Sequence, residues 1–246
     1  FEEINPTLGL VFRYGWRSSR RFGWVRTAEL ESTRTGAVEV AVLDGVRNLL
    51  PAGVNQSLQE SASCLVDAYK SAEVDPATGL ALFRLTANIV DHAIASEALR
   101  ATVAWQSGFD AATVVLDPSA REDFILEGPL RPQTGFNGRR GAFLLHGDIA
   151  LAAGGRSRWH IALDTPVDHI GVSRLAAADR APAAIEEDIH AGREQLRGLL
   201  AGADAMQHTG DRISSARVDL LAVLDIAVMT CALITCIVML YVASME

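Results

Sequence analysis

The sequence predicts a mainly β protein: an antiparallel β-sandwich followed by linker helices and one C-terminal transmembrane helix. Three observations predict it. Short β-branched or aromatic runs, punctuated by turn residues, fill the chain from Leu8 to about Leu163. After Pro166 the apolar spacing lengthens from that of a strand to that of a helix. From Ile226 to Ala243, 18 residues pass without a charge, a Gly or a Pro. The implied units are a sandwich over 1–165, a helical linker over 166–211 and a membrane anchor over 212–246.

The first strands are expected at 8–14, 22–30 and 37–46, which read LGLVFRY, FGWVRTAEL and AVEVAVLDGV. Further runs at 63–70, 79–87, 98–106 and 112–117 continue the series. The segments 141–151 and 156–164, with Ala153, Gly154 and Gly155 between them, read as a hairpin. In its second arm Trp159, Ile161 and Leu163 face one way, while Arg158, His160 and Ala162 face the other. No helix of ten or more residues separates these runs, which favours an antiparallel sandwich over a parallel α/β sheet. Pro118, Pro129 and Pro132, with Gly128, Gly135 and Gly138, make Asp117 to Gly141 a long connection, with one helical turn at 119–125. Beyond Pro166, Val167 to Ala178 forms a short helix and Ala183 to Asp204 a longer one. The longer helix carries Ile185, Ile189, Leu196 and Leu199 on one face, with Glu186 and His190 as a surface pair.

At about 1.5 Å per residue, the run from Ile226 makes roughly 27 Å of helix, and a start at Leu220 makes roughly 36 Å. A bilayer core is about 30 Å thick, so the segment spans it. Thr230 and Thr235 are too few to form the polar stripe of a buried soluble helix. Arg212 and Arg217, with Arg193 and Arg197 behind them, precede the helix, and only Glu246 is charged after it. The positive-inside rule places the body in the cytoplasm of a bacterial cell, the helix in the inner membrane and the C-terminus in the periplasm. No basic and apolar leader opens the chain. Asp225 lies at head-group level or marks a protein contact inside the bilayer.

The formal charge of -8 disfavours nucleic acid as a partner. Cys231 and Cys236 lie in the anchor, leaving Cys64 alone in the body as a buried strand residue, with neither a disulfide framework nor a zinc set. The six histidines show no metal-ligand spacing, and the anchor holds none to ligate a haem or chlorophyll-type pigment, so no cofactor is expected. His146 near Asp148, and Asp168 beside His169, pair imidazole with carboxylate. With His160 the first pair is an example of a sandwich-borne site an enzyme would use, although strand histidines are more often structural. The run Phe12 to Arg26 has the arginine and aromatic content of an interaction surface. Its partner-contact candidates are Arg13, Trp16, Arg17, Arg20, Arg21 and Trp24. The competing reading is a twisted hairpin whose arginine stems cover aromatics. The glycine-rich basic stretch Gly135 to Gly141, which reads first as a flexible turn and second as a contact for an anionic head group or partner, adds Arg139 and Arg140, and Asp225 completes the set.

Four stretches carry a resemblance: NPTLGLVFRYGWRSSRRFGWVRTAELE (5–31), VLDGVRNLLPAGV (42–54), LVDAYKSAEVDPATGLALFRLTA (65–87) and SEALRATVAWQSG (96–108). Together they resemble the N-terminal β-sandwich region of bacterial cellobiose-phosphorylase-like proteins, within the glycoside hydrolases and phosphorylases that pair a supersandwich with an (α/α)6 barrel. The resemblance runs from about Asn5 to Arg217. It implies a β-supersandwich to about residue 165, then linker helices. The family's catalytic carboxylates lie in the barrel; here Asp211 to Arg217 leads straight into the apolar segment, so no catalytic residue carries over. The expected function is a non-catalytic accessory subunit of an integral membrane complex, photosynthetic and respiratory assemblies being the class in view. Its partners are then integral membrane subunits and the lipid bilayer. The alternatives are a membrane-tethered carbohydrate-binding module, with Trp16, Trp24, Trp105 and Trp159 as its platform, and the His146–Asp148–His160 enzyme.

Overall fold

Apolar and polar residues alternate along the longest strands, so each strand divides its side chains between two faces. On β3 (Gly23–Ser32), Ala28 and Leu30 point inward, and on β4 (Val38–Leu49) so do Val40, Val42 and Val46. On β10 (Gly141–Leu151) the inward set is Phe143, Leu145, Ile149 and Leu151, and on β11 (Arg156–Asp168) it is Trp159, Ile161 and Leu163. These inward sets meet in one buried core, which makes a sandwich. The computed structural model describes residues 1–89, 96–110, 112–202 and 239–241.

The first sheet has eight strands in the order β1-β2-β3-β11-β7-β6-β5-β9. Its remaining members are β1 (Glu2–Asn5), β2 (Leu10–Ser19), β5 (Lys70–Val74), β6 (Ala81–Leu85), β7 (Arg100–Ser107) and β9 (Gly135–Asn137). The second sheet runs β12-β4-β10-β8, with β8 at Thr113–Val115 and β12 at Met239–Tyr241. Every pairing among the described residues is antiparallel. The mainly β, antiparallel class read from the sequence is the one observed.

The outer faces are covered by helices. On the eight-stranded sheet, Val25, Val103, Trp105 and Ala162 pack under Leu175 of α4 (His169–Ala177) and under Ile185 and Ile189 of α5 (Pro182–Gly202). On the four-stranded sheet, Leu43, Ala142 and Leu144 pack under Ala120 and Phe124 of α3 (Ala120–Glu127). Thus α3 stands where one helical turn was expected at 119–125. Two short helices, α1 (Gln56–Ser61) and α2 (Ser63–Ala68), close a small cluster around Val54, Val66 and Leu85.

Several expectations are corrected. Residues 63–68 are the helix α2 rather than a strand, because Val66 alone of that run is buried and no sheet edge receives the rest. Cys64 accordingly lies on the surface. The 141–151 and 156–164 segments are not a hairpin. β10 pairs with β4 and β8, whereas β11 pairs with β3 and β7, so the chain crosses from one sheet to the other at 152–155. Gly154 supplies the left-handed φ of 65° that this turn needs. The Ser32 amide, donating to the Gly155 carbonyl at 2.9 Å, ties the crossing to the end of β3. β11 also continues past Pro166 to Asp168, so the helices begin at His169 rather than at 166.

The expected membrane span falls mostly at 212–238 and 242–246, outside the described residues. Within it, Met239–Tyr241 forms β12, an antiparallel backbone partner of Ala41–Leu43 in β4. No helix among the described residues is long and apolar enough to cross a membrane.

A polar contact joins the sheets at the centre of the core. Asp44 of β4 and Arg26 of β3 are both fully buried; the Arg26 Nη1 donates to Asp44 Oδ2 at 2.5 Å, and Trp159 Nε1 donates to the same oxygen at 2.7 Å. The guanidinium lies 4.4 Å from the centre of the Tyr14 ring. Removing one partner strands a buried charge, which costs about 3–5 kcal/mol. Asp44→Ala is expected to lower stability by that amount in urea unfolding followed by far-UV circular dichroism. Asp44→Ala combined with Arg26→Met is expected to recover part of the loss.

Candidate functional site

The arginine-rich β2–β3 hairpin and α5 meet on the outer face of the eight-stranded sheet. Antiparallel register places opposite charges directly across adjacent strands there. Glu2 faces Arg13, Arg13 faces Glu29, and Glu29 faces Arg158. Ion pairs follow this register. Arg13 reaches Glu2 at 3.4 Å, Glu29 at 3.5 Å and Glu31 at 2.6 Å, and Arg158 reaches Glu29 at 2.8 Å. Arg156 joins Glu31 at 2.8 Å. The ladder holds the Glu31 carboxyl below the usual range, chiefly through its hydrogen bond from Arg13 and then that from Arg156.

From α5, Glu186 extends the ladder, lying 3.4 Å from Arg158, 3.7 Å from Arg17 and 3.8 Å from His160 Nε2. It does not pair with His190, which is exposed. Two residues on, Asp188 clamps the helix to the hairpin turn. Its Oδ2 accepts from Ser19 Oγ at 2.5 Å and from the amides of Arg20 and Arg21 at 2.8 and 3.1 Å. Together with buried Ile185 and Ile189, this fixes the first half of α5. The second half leaves the body. Every side chain from 193 to 199 is exposed, and Leu196 and Leu199, expected beside Ile185 on the buried face, are 55% and 64% exposed.

The candidate contact residues divide accordingly. Arg13 and Arg17 are tied into the ladder, whereas Arg20 and Arg21 are exposed at the turn that Asp188 holds, with Arg21 over the Phe22 ring at 4.9 Å. Trp16 and Trp24 are half-buried against the core. The run is a hairpin with arginines over aromatics, and Arg20 and Arg21 are exposed at its tip. Arg139 bonds Asp117 at 2.8 Å and lies over Phe136, while Arg140 is exposed. Asp225 lies outside the described residues.

The expected His146–Asp148–His160 constellation does not assemble. His146 and Asp148 project from the outer face of the four-stranded sheet, where His146 meets the Phe124 ring edge-on at 5.2 Å. His160 projects from the outer face of the other sheet, under α5, with Nδ1 3.0 Å from Thr27 Oγ1. The whole core lies between them. Asp168 caps α4 by accepting from the Gly171 amide rather than pairing with His169 for catalysis. Trp105 and Trp159 are buried, so the four-tryptophan platform does not exist. No group of three His, Cys, Asp or Glu side chains among the described residues could hold a metal ion. Sequence reading missed Asp188, whose acidic neighbours Glu186 and Glu187 disguise it, and the trio in which buried Lys70 bonds half-buried Asp67 at 2.7 Å and also buried Gln59.

Burial lowers the pKa of His160, against the pull of Glu186, and Arg158 and Arg17 lower it further. His146 is lowered by burial as well. With the folded-state value below the unfolded value of about 6.5, the unfolded chain takes up the proton first. Stability is then complete above that pH and is lost as the pH falls through it toward the folded-state values. The urea midpoint is expected to fall between pH 7 and 5, and the double variant His146→Gln, His160→Gln is expected to flatten that slope.

No protein family's sequence profile matches the chain, and no curated protein matches it.

Proposed function

We propose that the chain is a non-catalytic accessory subunit of an integral membrane complex, in which the sandwich is a rigid body and α5 carries it to its partners. The observation that supports this best is the division of α5. Its first half is fixed by Ile185, Ile189 and Asp188, and its second half exposes Leu196 and Leu199 on the path toward the apolar run that begins at Ile226. A helix whose apolar residues stay exposed while its base is clamped is suited to docking against another protein. The apolar run then serves as the tether in a bacterial inner membrane, with the body on the cytoplasmic side. In this reading the sandwich is a scaffold of the cellobiose-phosphorylase-like type used for assembly, and energy-transducing complexes are the class of host. The exposed Arg20 and Arg21 beside the base of α5 supply further contacts. The carbohydrate-module alternative keeps only the half-covered Trp16 and Trp24.

Mild-detergent solubilisation and native purification through a tag on this chain test the proposal. A stoichiometric set of integral membrane proteins is expected to accompany it. Leu196→Glu with Leu199→Glu is expected to reduce that set at least tenfold while leaving the body's thermal unfolding unchanged. Recovery of the chain alone, from membranes that contain it, would overturn the proposal.

A further inference from the structure

At the other end of α5 the chain forms a cleft of about 470 Å³ lined by Thr78, Gly79, Gln106, Ala112, Val114, Ala178, Asp179 and Arg180. Arg180 is held from two sides. Its Nη2 donates to the Thr78 carbonyl at 2.6 Å, and its guanidinium lies 5.4 Å from the centre of the Trp105 ring. No carboxylate among the described residues forms an ion pair with it. Burial alone lowers its pKa, with no opposing contribution from a nearby acid. The Asp179 carboxylate is turned to the Ala181 amide instead, at 3.0 Å.

The other polar groups of the cleft are already engaged. Thr78 Oγ1 donates to Asp75 at 2.5 Å, and the Gln106 amide both donates to and accepts from the Phe109 backbone. A guanidinium carries five N–H donors, and one of them goes to Thr78. Arg180 shares the lining with the apolar Ala112, Val114 and Ala178 and with Thr78, Gly79, Gln106 and Asp179. A half-buried cation without a counter-charge is costly, and a bound anion relieves that cost. One cation beside the apolar stretch formed by Ala112, Val114 and Ala178 suits a single negative charge on an apolar body, whereas a phosphate dianion calls for more donors than this. The volume equals about fifteen waters at roughly 30 Å³ each, ample for an acid of four to six carbons.

We propose that this cleft binds a small aliphatic monocarboxylate, its carboxylate seated on Arg180 and its chain against Ala112, Val114 and Ala178. The guanidinium fork matches a carboxylate in two parallel hydrogen bonds.

Calorimetric titration of the full chain with butyrate, 1-butanol and inorganic phosphate tests this. Butyrate is expected to saturate with a Kd in the roughly millimolar range suited to six heavy atoms. 1-Butanol and phosphate are expected to bind at least tenfold more weakly. Arg180→Gln is expected to weaken butyrate at least tenfold. Should that variant fail to fold, Ala178→Leu, which keeps the guanidinium and fills the cleft, is expected to produce the same loss. Equal binding of butyrate and 1-butanol, tighter binding of phosphate, absence of saturation by butyrate, or unchanged butyrate binding in Ala178→Leu would each overturn the proposal.

Discussion

The fully buried carboxylate of Asp44 sets the terms for the rest of the structure. It accepts from Arg26 on β3 and from Trp159 on β11, so one side chain of the smaller sheet grips two neighbouring strands of the larger. A one-residue slip of β4 would turn Asp44 to the outer face and leave Arg26 enclosed without it, because strand side chains alternate strictly. Apolar packing alone tolerates many exchanges of similar volume. A buried ion pair does not, since the penalty for separating it greatly exceeds that for a misplaced methyl group. The contact therefore selects the register of the strands it joins, and only secondarily adds stability.

Register chosen inside is read outside. With β3 and β11 locked through Arg26 and Trp159, the residues between them on the opposite face are aligned as well: Glu29 across from Arg158, and Thr27 across from His160. The charge ladder is the exterior image of the interior pair. Each exposed rung is weak by itself, since surface ion pairs contribute about 0–1 kcal/mol. Its effect is positional. The ladder presents Arg17 and Arg158 to Glu186, and the hairpin turn presents two amides and a hydroxyl to Asp188, so the helix can settle in one place.

Much of this was legible in the sequence, and the gaps have identifiable causes. Period-two alternation found most of the strands and assigned Trp159, Ile161 and Leu163 to one face, because burial on one side of a sheet writes that pattern directly. It could not tell a hairpin from a crossing at 152–155, since Leu151 and Trp159 are inward in either arrangement and only the pairing partners differ. Ser63–Ala68 has the apolar content of a strand, yet with one buried residue it is held by tertiary context as a helix. Leu196 and Leu199 continue the spacing of Ile185 and Ile189, yet both are exposed, and spacing says nothing about where a covering surface stops. Arginine poses the same difficulty. Arg26 and Arg20 look alike in a run of basic residues; alternation within β3 buries one, and the turn exposes the other.

The described charges that a partner or ligand could address are those left over when this internal pairing is complete. Arg13, Arg156, Arg158, Asp44, Glu31 and Asp188 are committed to the fold, and a committed charge offers little to an incoming group that cannot repay its displacement. Arg180 forms no ion pair with a carboxylate among the described residues, and it stands two residues before Pro182, where α5 begins. The exposed leucines stand on the distal half of the same helix. One element therefore carries both residual features, a cation at its root and an apolar face at its tip, and the Asp188 clamp between them holds the two in a fixed relation.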